Sequence, residues 1–168
     1  IPEDFVSKIW NNTERLDDAT AVELGNGQEI SYSELGQLIL QQERLWARQG
    51  KKIAGEVILL QLPVNQDLLI AHLTILVFGG TFCSIHPKET DESIQAIIKK
   101  TGSTWGLRAP NSTVQDLFWT SMICAERTTN DLPRQRAQSA TRAEISAILL
   151  TSGPTGPPTA VPPTTTAL

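Results

Sequence analysis

Cysteine, histidine and clustered basic residues are all scarce in this chain of 168 residues. The two cysteines, Cys83 and Cys124, cannot build a disulfide framework, and no Cys or His spacing is typical of a zinc site. We therefore expect a reducing, cytoplasmic setting. No group of Lys and Arg is as dense as a nucleic-acid footprint, and the formal net charge is −4. Nucleic acid is thus not an expected partner.

The sequence also has no long apolar run. The longest, from Leu68 to Phe78, is interrupted by His72 and Thr74. It is too short to cross a bilayer, so no membrane partner is expected. Nothing in the sequence resembles a secretory signal, and the glycosylation patterns at Asn11 and Asn111 are interpreted as chance matches.

What the sequence does contain is a regular alternation of strand and helix patterns. Apolar runs predict four strands, at Val57–Leu62, Thr81–Ile85, Thr104–Leu107 and Ile145–Leu150. Helices are predicted from Asn65 or Asp67 to Phe78, and from Thr90 to Gly102. Strands joined by helices through short connections indicate a partly parallel sheet with right-handed crossovers and flanking helices. The expected fold class is therefore α/β.

The first fifty residues have a different pattern. A short helix is predicted over residues 2–10, followed by a β-hairpin of residues 19–24 and 29–32 around Gly25-Asn26-Gly27. Ser31 and Glu34 have the spacing of a capping box, which opens a helix that ends near Gly50. Farther along, residues 114–123 are predicted as a helix and residues 126–142 as a polar loop.

Single residues that could carry chemistry have more ordinary interpretations. His86 precedes a proline and is interpreted as a turn histidine rather than a general base. His72 lies in an apolar helix and is expected to be a hydrogen-bonded packing residue. Cys83 falls within a short strand, where burial is expected rather than reactivity. The four tryptophans are too scattered to predict a stacking platform.

A hydroxyl- and glycine-rich segment follows the last predicted strand. It reads Thr151-Ser152-Gly153-Pro154-Thr155-Gly156-Pro157-Pro158-Thr159-Ala160-Val161. A strand end of this kind presents backbone N–H groups and hydroxyls to phosphate oxygens, although a simple exit from strand to coil fits the pattern too. The spacing matches neither a Walker loop nor the GxGxxG pattern. Beyond Gly156, Pro and Thr predict an extended tail.

Four segments in order resemble the start of an adenylate-forming enzyme, the superfamily of acyl-CoA synthetases, luciferases and nonribosomal peptide synthetase adenylation domains. Residues 18–22 resemble its opening strand, and residues 30–35 its Thr-Tyr-x-Glu-Leu helix start. Residues 78–87 resemble Ala-Gly-Gly-x-Tyr-x-Pro-Leu-Asp-Pro, closest to peptide synthetases. Residues 151–161 resemble Thr-Ser-Gly-Ser-Thr-Gly-x-Pro-Lys-Gly-Val. The resemblance covers residues 5–107 and 144–168.

The resemblance implies the N-terminal part of an ATP-dependent ligase, in which a carboxylate attacks the α-phosphate of ATP. It implies ATP and Mg²⁺ as cofactors, a carboxylic or amino acid as substrate, a carrier protein as partner and a role in secondary metabolism. The phosphate-contacting residues would be Thr151, Ser152, Gly153, Thr155 and Gly156. The expected organisation is an α/β subdomain over residues 1–150 and a phosphate-loop segment with its tail over residues 151–168.

Several positions depart from this pattern. The lysine of the loop corresponds to Thr159, its second serine to Pro154, and no Lys, Arg or His occurs from Ala143 to Leu168. His86 stands where the pattern has Asp, and Ser84 where it has Pro. The acyl pocket, the magnesium-binding Glu and the catalytic Lys of such enzymes all lie downstream, so no catalytic residue is assigned and the chain alone is expected to be inactive.

Two alternative hypotheses remain at this point. The chain could be a non-catalytic α/β remnant that acts as a protein-interaction module, or a small flavodoxin-like protein that binds a nucleotide through the loop alone. It begins at Ile1 rather than Met, so residues upstream are compatible with every hypothesis.

Overall fold

Four helices and eight strands form within the described part of the computed structural model, which is residues 5–16, 18–108, 119–121, 147–151 and 159–161. The helices are α1 (Phe5–Arg15), α2 (Tyr32–Arg48), α3 (Gln66–Val77) and α4 (Asp91–Thr101). The strands are β1 (Thr20–Glu23), β2 (Glu29–Ser31), β3 (Val57–Gln61), β4 (Thr81–Ser84), β5 (Trp105–Arg108), β6 (Trp119–Ser121), β7 (Ala147–Thr151) and β8 (Thr159–Val161).

The strands form two sheets. The predicted hairpin is confirmed, since β1 and β2 pair antiparallel. The main sheet has the order β6-β5-β3-β4-β7-β8, in which every neighbouring pair is parallel except β7 and β8. The predicted partly parallel sheet with flanking helices is therefore confirmed, and the apolar sequence of β3 is explained by its central position between β5 and β4.

Side-chain alternation along β3 divides the core into two layers. Ile58 and Leu60 face α2 and α3, where they pack with Trp46 and Ile75. Leu59 faces the other side and packs with residues of β4 and α4, namely Cys83, Ile94 and Ile97. A further apolar layer joins α2 and α3 to α1 and the β1–β2 hairpin. The sheet is thus covered on both faces, with the hairpin outside the helices.

Capping residues fix where the helices begin. The hydroxyl of Ser31 accepts a hydrogen bond from the Glu34 N–H, as the capping box predicts. The predicted start of α3 at Asn65 or Asp67 is settled in favour of Asn65, whose side chain accepts from the Leu68 N–H. Thr90 caps α4, and Gly102 ends it in the left-handed conformation with φ of 68°.

One prediction is wrong, and two others gain detail. The helix predicted over residues 114–123 is wrong where it can be compared, because Trp119–Ser121 forms β6 beside β5. Its aromatic and β-branched residues favour a pleated surface. Within the predicted extended tail, Thr159–Val161 forms β8, which gains ladder hydrogen bonds by pairing with β7. The first helix, predicted over residues 2–10, continues to Arg15, and residues 2–4 lie outside the described residues. The polar loop predicted at 126–142 lies outside the described residues.

Two tryptophans that are far apart in the sequence meet in the core. The rings of Trp46 and Trp105 lie 5.2 Å apart between centroids in an edge-to-face arrangement. Trp105 also donates from Nε1 to the carbonyl of Lys52 at 2.9 Å. This contact joins α2 to β5 and to the segment that leads into β3. The sequence alone gave no sign of it, because nothing local relates the two positions.

Candidate functional site

The candidate site lies at the carboxyl edge of the main sheet, the end at which β3, β4, β5 and β7 finish with Gln61, Ser84, Arg108 and Thr151. These four strands are parallel, so their carboxyl ends meet at the same side of the sheet. Ligands of open α/β sheets bind outside this end of the strands. The predicted phosphate loop therefore starts at the side of the sheet where a ligand is expected.

The hairpin of β7 and β8 closes the predicted loop. Thr151 and Thr159 are Cα partners in the antiparallel ladder, followed by Leu150 with Ala160. The loop therefore leaves and returns at paired positions, with Thr159 directly across from Thr151. Of the five predicted phosphate contacts, Thr151 lies in the described backbone, whereas Ser152, Gly153, Thr155 and Gly156 lie outside the described residues. Their role stays a prediction.

A buried polar pair occupies the middle of the carboxyl edge. Arg108 is 6% exposed and Gln61 is 5% exposed. The Arg108 Nε donates to Gln61 Oε1 at 2.7 Å, and the Arg108 Nη2 forms an ion pair with the half-exposed Asp91 at 3.3 Å. A buried guanidinium needs such partners because it cannot lose its charge. The pair ties β5 and β3 to the start of α4.

The side-chain amide of Gln61 also holds the connection between β4 and α4, residues 85–90. Its Nε2 lies 3.4 Å from the carbonyl oxygen of His86, 3.3 Å from that of Pro87 and 3.4 Å from that of Glu89. Because Arg108 engages the amide oxygen, the NH₂ group is directed to these carbonyls. The connection is fixed at the carboxyl edge by a chain of hydrogen bonds that begins at Arg108.

We expect Arg108→Met to lower the free energy of unfolding by about 1–3 kcal/mol, because it leaves the buried Gln61 oxygen without its donor. The matched variant Asp91→Asn should cost less than about 1 kcal/mol, since that carboxylate is half exposed and water replaces its contact. Denaturant unfolding followed by circular dichroism measures both. Equal losses in the two variants would show that the ion pair, rather than the Gln61 contact, carries the stabilisation.

Interpretations of the candidate single residues are confirmed. His72 Nε2 lies 2.8 Å from the Ser84 hydroxyl, and its ring rests on Phe82 with centroids 4.2 Å apart. Burial lowers the pKa of His72, which favours the neutral ring. Cys83 is fully buried, and burial raises its pKa to about 11, so the thiol is unreactive at neutral pH. His86 is an exposed turn residue.

Sequence analysis did not select Gln61 or Arg108. The signal that could have found them is a polar residue at the end of an otherwise apolar strand. Gln61 ends Val57–Gln61, and Arg108 ends Trp105–Arg108. Such a residue is placed at the carboxyl edge by the strand itself. Neither is brought next to Thr151, because β4 lies between β3 and β7, and both β3 and β4 lie between β5 and β7.

Three other features of the described residues bear on the possible sites. They contain no group of three or more His, Cys, Asp or Glu side chains that could hold a metal ion. A surface depression of about 370 Å³ lies at the opposite, amino end of the sheet, where Lys51 and Lys52 line it with Phe78. Within the same residues, no helix is long and apolar enough to cross a membrane.

The chain matches no protein-family model and no curated protein, but it is similar to solved structures. One is the N-terminal subdomain of Klebsiella oxytoca NpsA in complex with 3-hydroxyanthranilyl-AMSN, with a TM-score of 0.70 and 17% identity. Another is a variant of E. coli MenE with bound OSB-AMS, with a TM-score of 0.73 and 20% identity. A third is NpsA-ThdA, an artificially fused Adenylation-PCP di-domain NRPS from K. oxytoca, with a TM-score of 0.69 and 19% identity.

These similarities extend over nearly all of this chain. They cover 96%, 99% and 94% of it, but only 40%, 35% and 32% of the respective structures. The chain therefore has the fold of the N-terminal part of adenylate-forming enzymes, as the sequence resemblance implies. It spans well under half the length of these proteins.

Proposed function

We propose that this chain is the N-terminal part of an ATP-dependent ligase that activates a carboxylate as an acyl-adenylate, most like a nonribosomal peptide synthetase adenylation domain. The observation that carries the proposal is the position of Thr151. The adenylation-like loop sequence begins at this residue, at the carboxyl edge of a parallel sheet with the fold of that class. Neither the fold nor the loop sequence alone would indicate this reaction.

In this proposal the loop after β7 holds the phosphates of ATP, which supplies the electrophilic α-phosphorus and the adenylyl group. Thr151, Ser152, Gly153, Thr155 and Gly156 would contribute backbone N–H groups and hydroxyls to the phosphate oxygens. The ladder between Thr151 and Thr159 would hold the two ends of the loop together. Because the described residues contain no metal-binding cluster, we assign no Mg²⁺ ligand to them.

The substrate and partners are proposed from the chemistry of similar proteins. The NpsA and MenE structures contain 3-hydroxyanthranilyl-AMSN and OSB-AMS, and one similar structure joins adenylation and PCP domains. We therefore propose a carboxylic or amino acid as substrate, a carrier protein as partner, and a cytoplasmic role in secondary metabolism. Residues 1–150 would form the α/β subdomain, and residues 151–168 the loop and its tail.

The isolated 168 residues should bind ATP weakly and saturably, but should show no ATP-dependent pyrophosphate exchange with any carboxylic or amino acid. The physical reason is that a complete site needs groups that contact the carboxylate and the adenine, and the chain spans 40% or less of the three similar structures. Isothermal titration with ATP and a radiolabelled exchange assay measure the two properties. Exchange above the level of a heat-denatured control would contradict the expected inactivity.

A non-catalytic remnant is the second candidate function. It is favoured by the absence of Lys, Arg and His from Ala143 to Leu168, because proteins normally bind a polyphosphate through at least one positively charged side chain. The two candidates differ in the response of ATP binding to a restored lysine. A remnant whose loop has lost its phosphate-binding shape would gain nothing from the added charge.

A further inference from the structure

The turn between β1 and β2 contains an asparagine that is followed directly by a glycine, Asn26-Gly27. No other asparagine in the sequence precedes a glycine. We propose that Asn26 is a site of spontaneous covalent modification, at which the side-chain amide is lost to water and a mixture of aspartate and isoaspartate forms. This inference does not rest on the proposed ligase function, because the β1–β2 hairpin is a sheet of its own, separate from the main sheet.

The reaction needs only two neighbouring residues and water. The Gly27 backbone nitrogen attacks the side-chain carbonyl carbon of Asn26, so that a carbon–nitrogen bond forms and a succinimide ring closes. The Gly27 N–H proton passes to a base in solvent, and the side-chain nitrogen of Asn26 takes up a proton and leaves as ammonia. Water then opens the ring at one of its two carbonyls. One opening gives aspartate, and the other gives isoaspartate, in which the main chain runs through the side-chain carboxyl.

The fold itself requires the reactive pair. Gly27 has a φ of 80°, in the left-handed region where glycine is strongly preferred. The residue that follows Asn26 therefore has no Cβ to shield the attacking nitrogen. Asn26 and Gly27 are exposed, and a Cβ at Gly25 or Gly27 would meet no heavy atom within 4 Å. The turn thus leaves open space for the ring, for the departing ammonia and for water.

Hydrogen bonds within the turn hold the reaction back. The Gly27 N–H donates to the Leu24 carbonyl at 2.8 Å, and the Asn26 Oδ1 accepts from the Gln28 N–H at 3.1 Å. The Asn26 Nδ2 also donates to the Gln28 Oε1 at 2.8 Å. The attacking nitrogen and both polar atoms of the amide are therefore engaged before the reaction starts. We expect transient opening of the turn to set the rate.

The product weakens the hairpin in which it forms. Glu23 and Glu29 are exposed Cα partners across the β1–β2 ladder, and like charges in this arrangement are destabilising. A carboxylate at Asn26 adds a further negative charge between them in the sequence. Isoaspartate also lengthens the main chain, which disturbs the bond from the Leu24 N–H to the Gln28 carbonyl that closes the turn at 2.7 Å.

Tryptic peptide mapping by mass spectrometry, applied to the 168-residue chain after incubation at mildly alkaline pH, tests this inference. The peptide of residues 16–44 contains Asn26 as its only asparagine, and the peptide of residues 53–88 contains only Asn65. Asn65 is the internal control, because it is exposed as well but precedes Gln66. We expect amide loss in the first peptide, with isoaspartate identified by electron-transfer fragmentation, and no change in the second.

Variants then measure how strongly the turn restrains the reaction. Gln28→Ala removes the acceptor of the Asn26 amide and should speed amide loss by about two- to tenfold, as expected for the loss of one neutral hydrogen bond. The matched control is Gln37→Ala, which truncates an exposed glutamine on α2 and should leave the rate within about twofold. The wild-type chain should also react faster in urea, where the turn is open.

Similar rates of amide loss at Asn26 and Asn65, or no loss at Asn26, would overturn the inference. Aspartate without isoaspartate would overturn it too, because direct hydrolysis of the amide gives aspartate alone. A rate that changes neither in Gln28→Ala nor in urea would overturn the restraint by the turn. The proposed function is tested separately by ATP binding, so its failure and the failure of this inference are distinguishable.

Discussion

Replacing Thr159 by Lys together with Pro154 by Ser should raise the affinity of the chain for ATP by about ten- to a hundredfold. A charge-assisted hydrogen bond contributes about 1.5–3 kcal/mol, which corresponds to this factor. Thr159 is the appropriate position because it pairs with Thr151 at the closing rung of the β7–β8 hairpin. The serine restores a backbone N–H that proline lacks. Isothermal titration of the double variant and the wild type measures the gain.

The control for added charge is Ala96→Lys, on the exposed surface of α4. It changes the net charge by the same amount as Thr159→Lys but lies on a helix rather than at the loop. It should leave ATP affinity within about twofold, because an exposed charge away from the ligand is screened by salt. Equal gains from both lysines would mean that net charge, not the loop, controls binding.

Replacing Trp46 by Ala should cost about 3–5 kcal/mol of unfolding free energy, the range for removing a large buried aromatic side chain. Trp46 is fully buried, and its edge-to-face contact with Trp105 joins α2 to β5. The cavity left behind would lie between the helix layer and the sheet, where Ile58 and Leu60 contact the same cluster. A loss of this size is a large part of the stability of an ordinary domain.

Val64→Ala is the matched control for that substitution. Val64 is 96% exposed, so its truncation should change the unfolding free energy by less than about 0.5 kcal/mol. Urea denaturation followed by circular dichroism compares the variants. If Trp46→Ala does not fold, Trp46→Phe provides a smaller cavity and an intermediate loss. A Trp46→Ala protein within 1 kcal/mol of the wild type would contradict the proposed packing of α2 on the sheet.

Replacing Gln42 by Leu, which removes the side-chain amide, should raise the free energy of unfolding rather than lower it. Gln42 lies on the buried face of α2, and its Nε2 is buried without a hydrogen-bond partner. An unsatisfied buried donor is destabilising by about 1–3 kcal/mol, so Gln42→Leu should raise the unfolding free energy. The matched variant is Gln41→Leu, one residue earlier on the same helix. Denaturant unfolding compares the free energies of unfolding of the two variants. A destabilised Gln42→Leu variant would show that the amide has a favourable interaction.

Local signals in the sequence were sufficient to predict the helices that have their own capping residues. Ser31, Asn65 and Thr90 cap helices through contacts to residues three positions ahead, and such contacts depend only on nearby sequence. The alternation of strands and helices then determined the parallel sheet, because a helical crossover returns the chain in the same direction. These parts of the fold could be predicted from residue type and spacing.

Contacts between distant residues could not be predicted in the same way. β6 and β8 are three residues long, and each is defined by the strand that it joins rather than by its own pattern. The Gln61–Arg108 hydrogen bond links residues 47 positions apart. Sequence analysis therefore predicted a phosphate loop from its motif but missed the hydrogen bonds by which Gln61 fixes the connection between β4 and α4.

The proposed phosphate site lies at the carboxyl edge of the sheet, beside Thr151. The most direct test is to map backbone amide shifts by NMR while the Thr159→Lys, Pro154→Ser variant is titrated with ATP. We expect the shifts to concentrate at residues 151–160, where the loop follows β7, the parallel neighbour of β4. Shifts concentrated at Gly50–Lys52, in the basic depression at the amino end of the sheet, would contradict the claim.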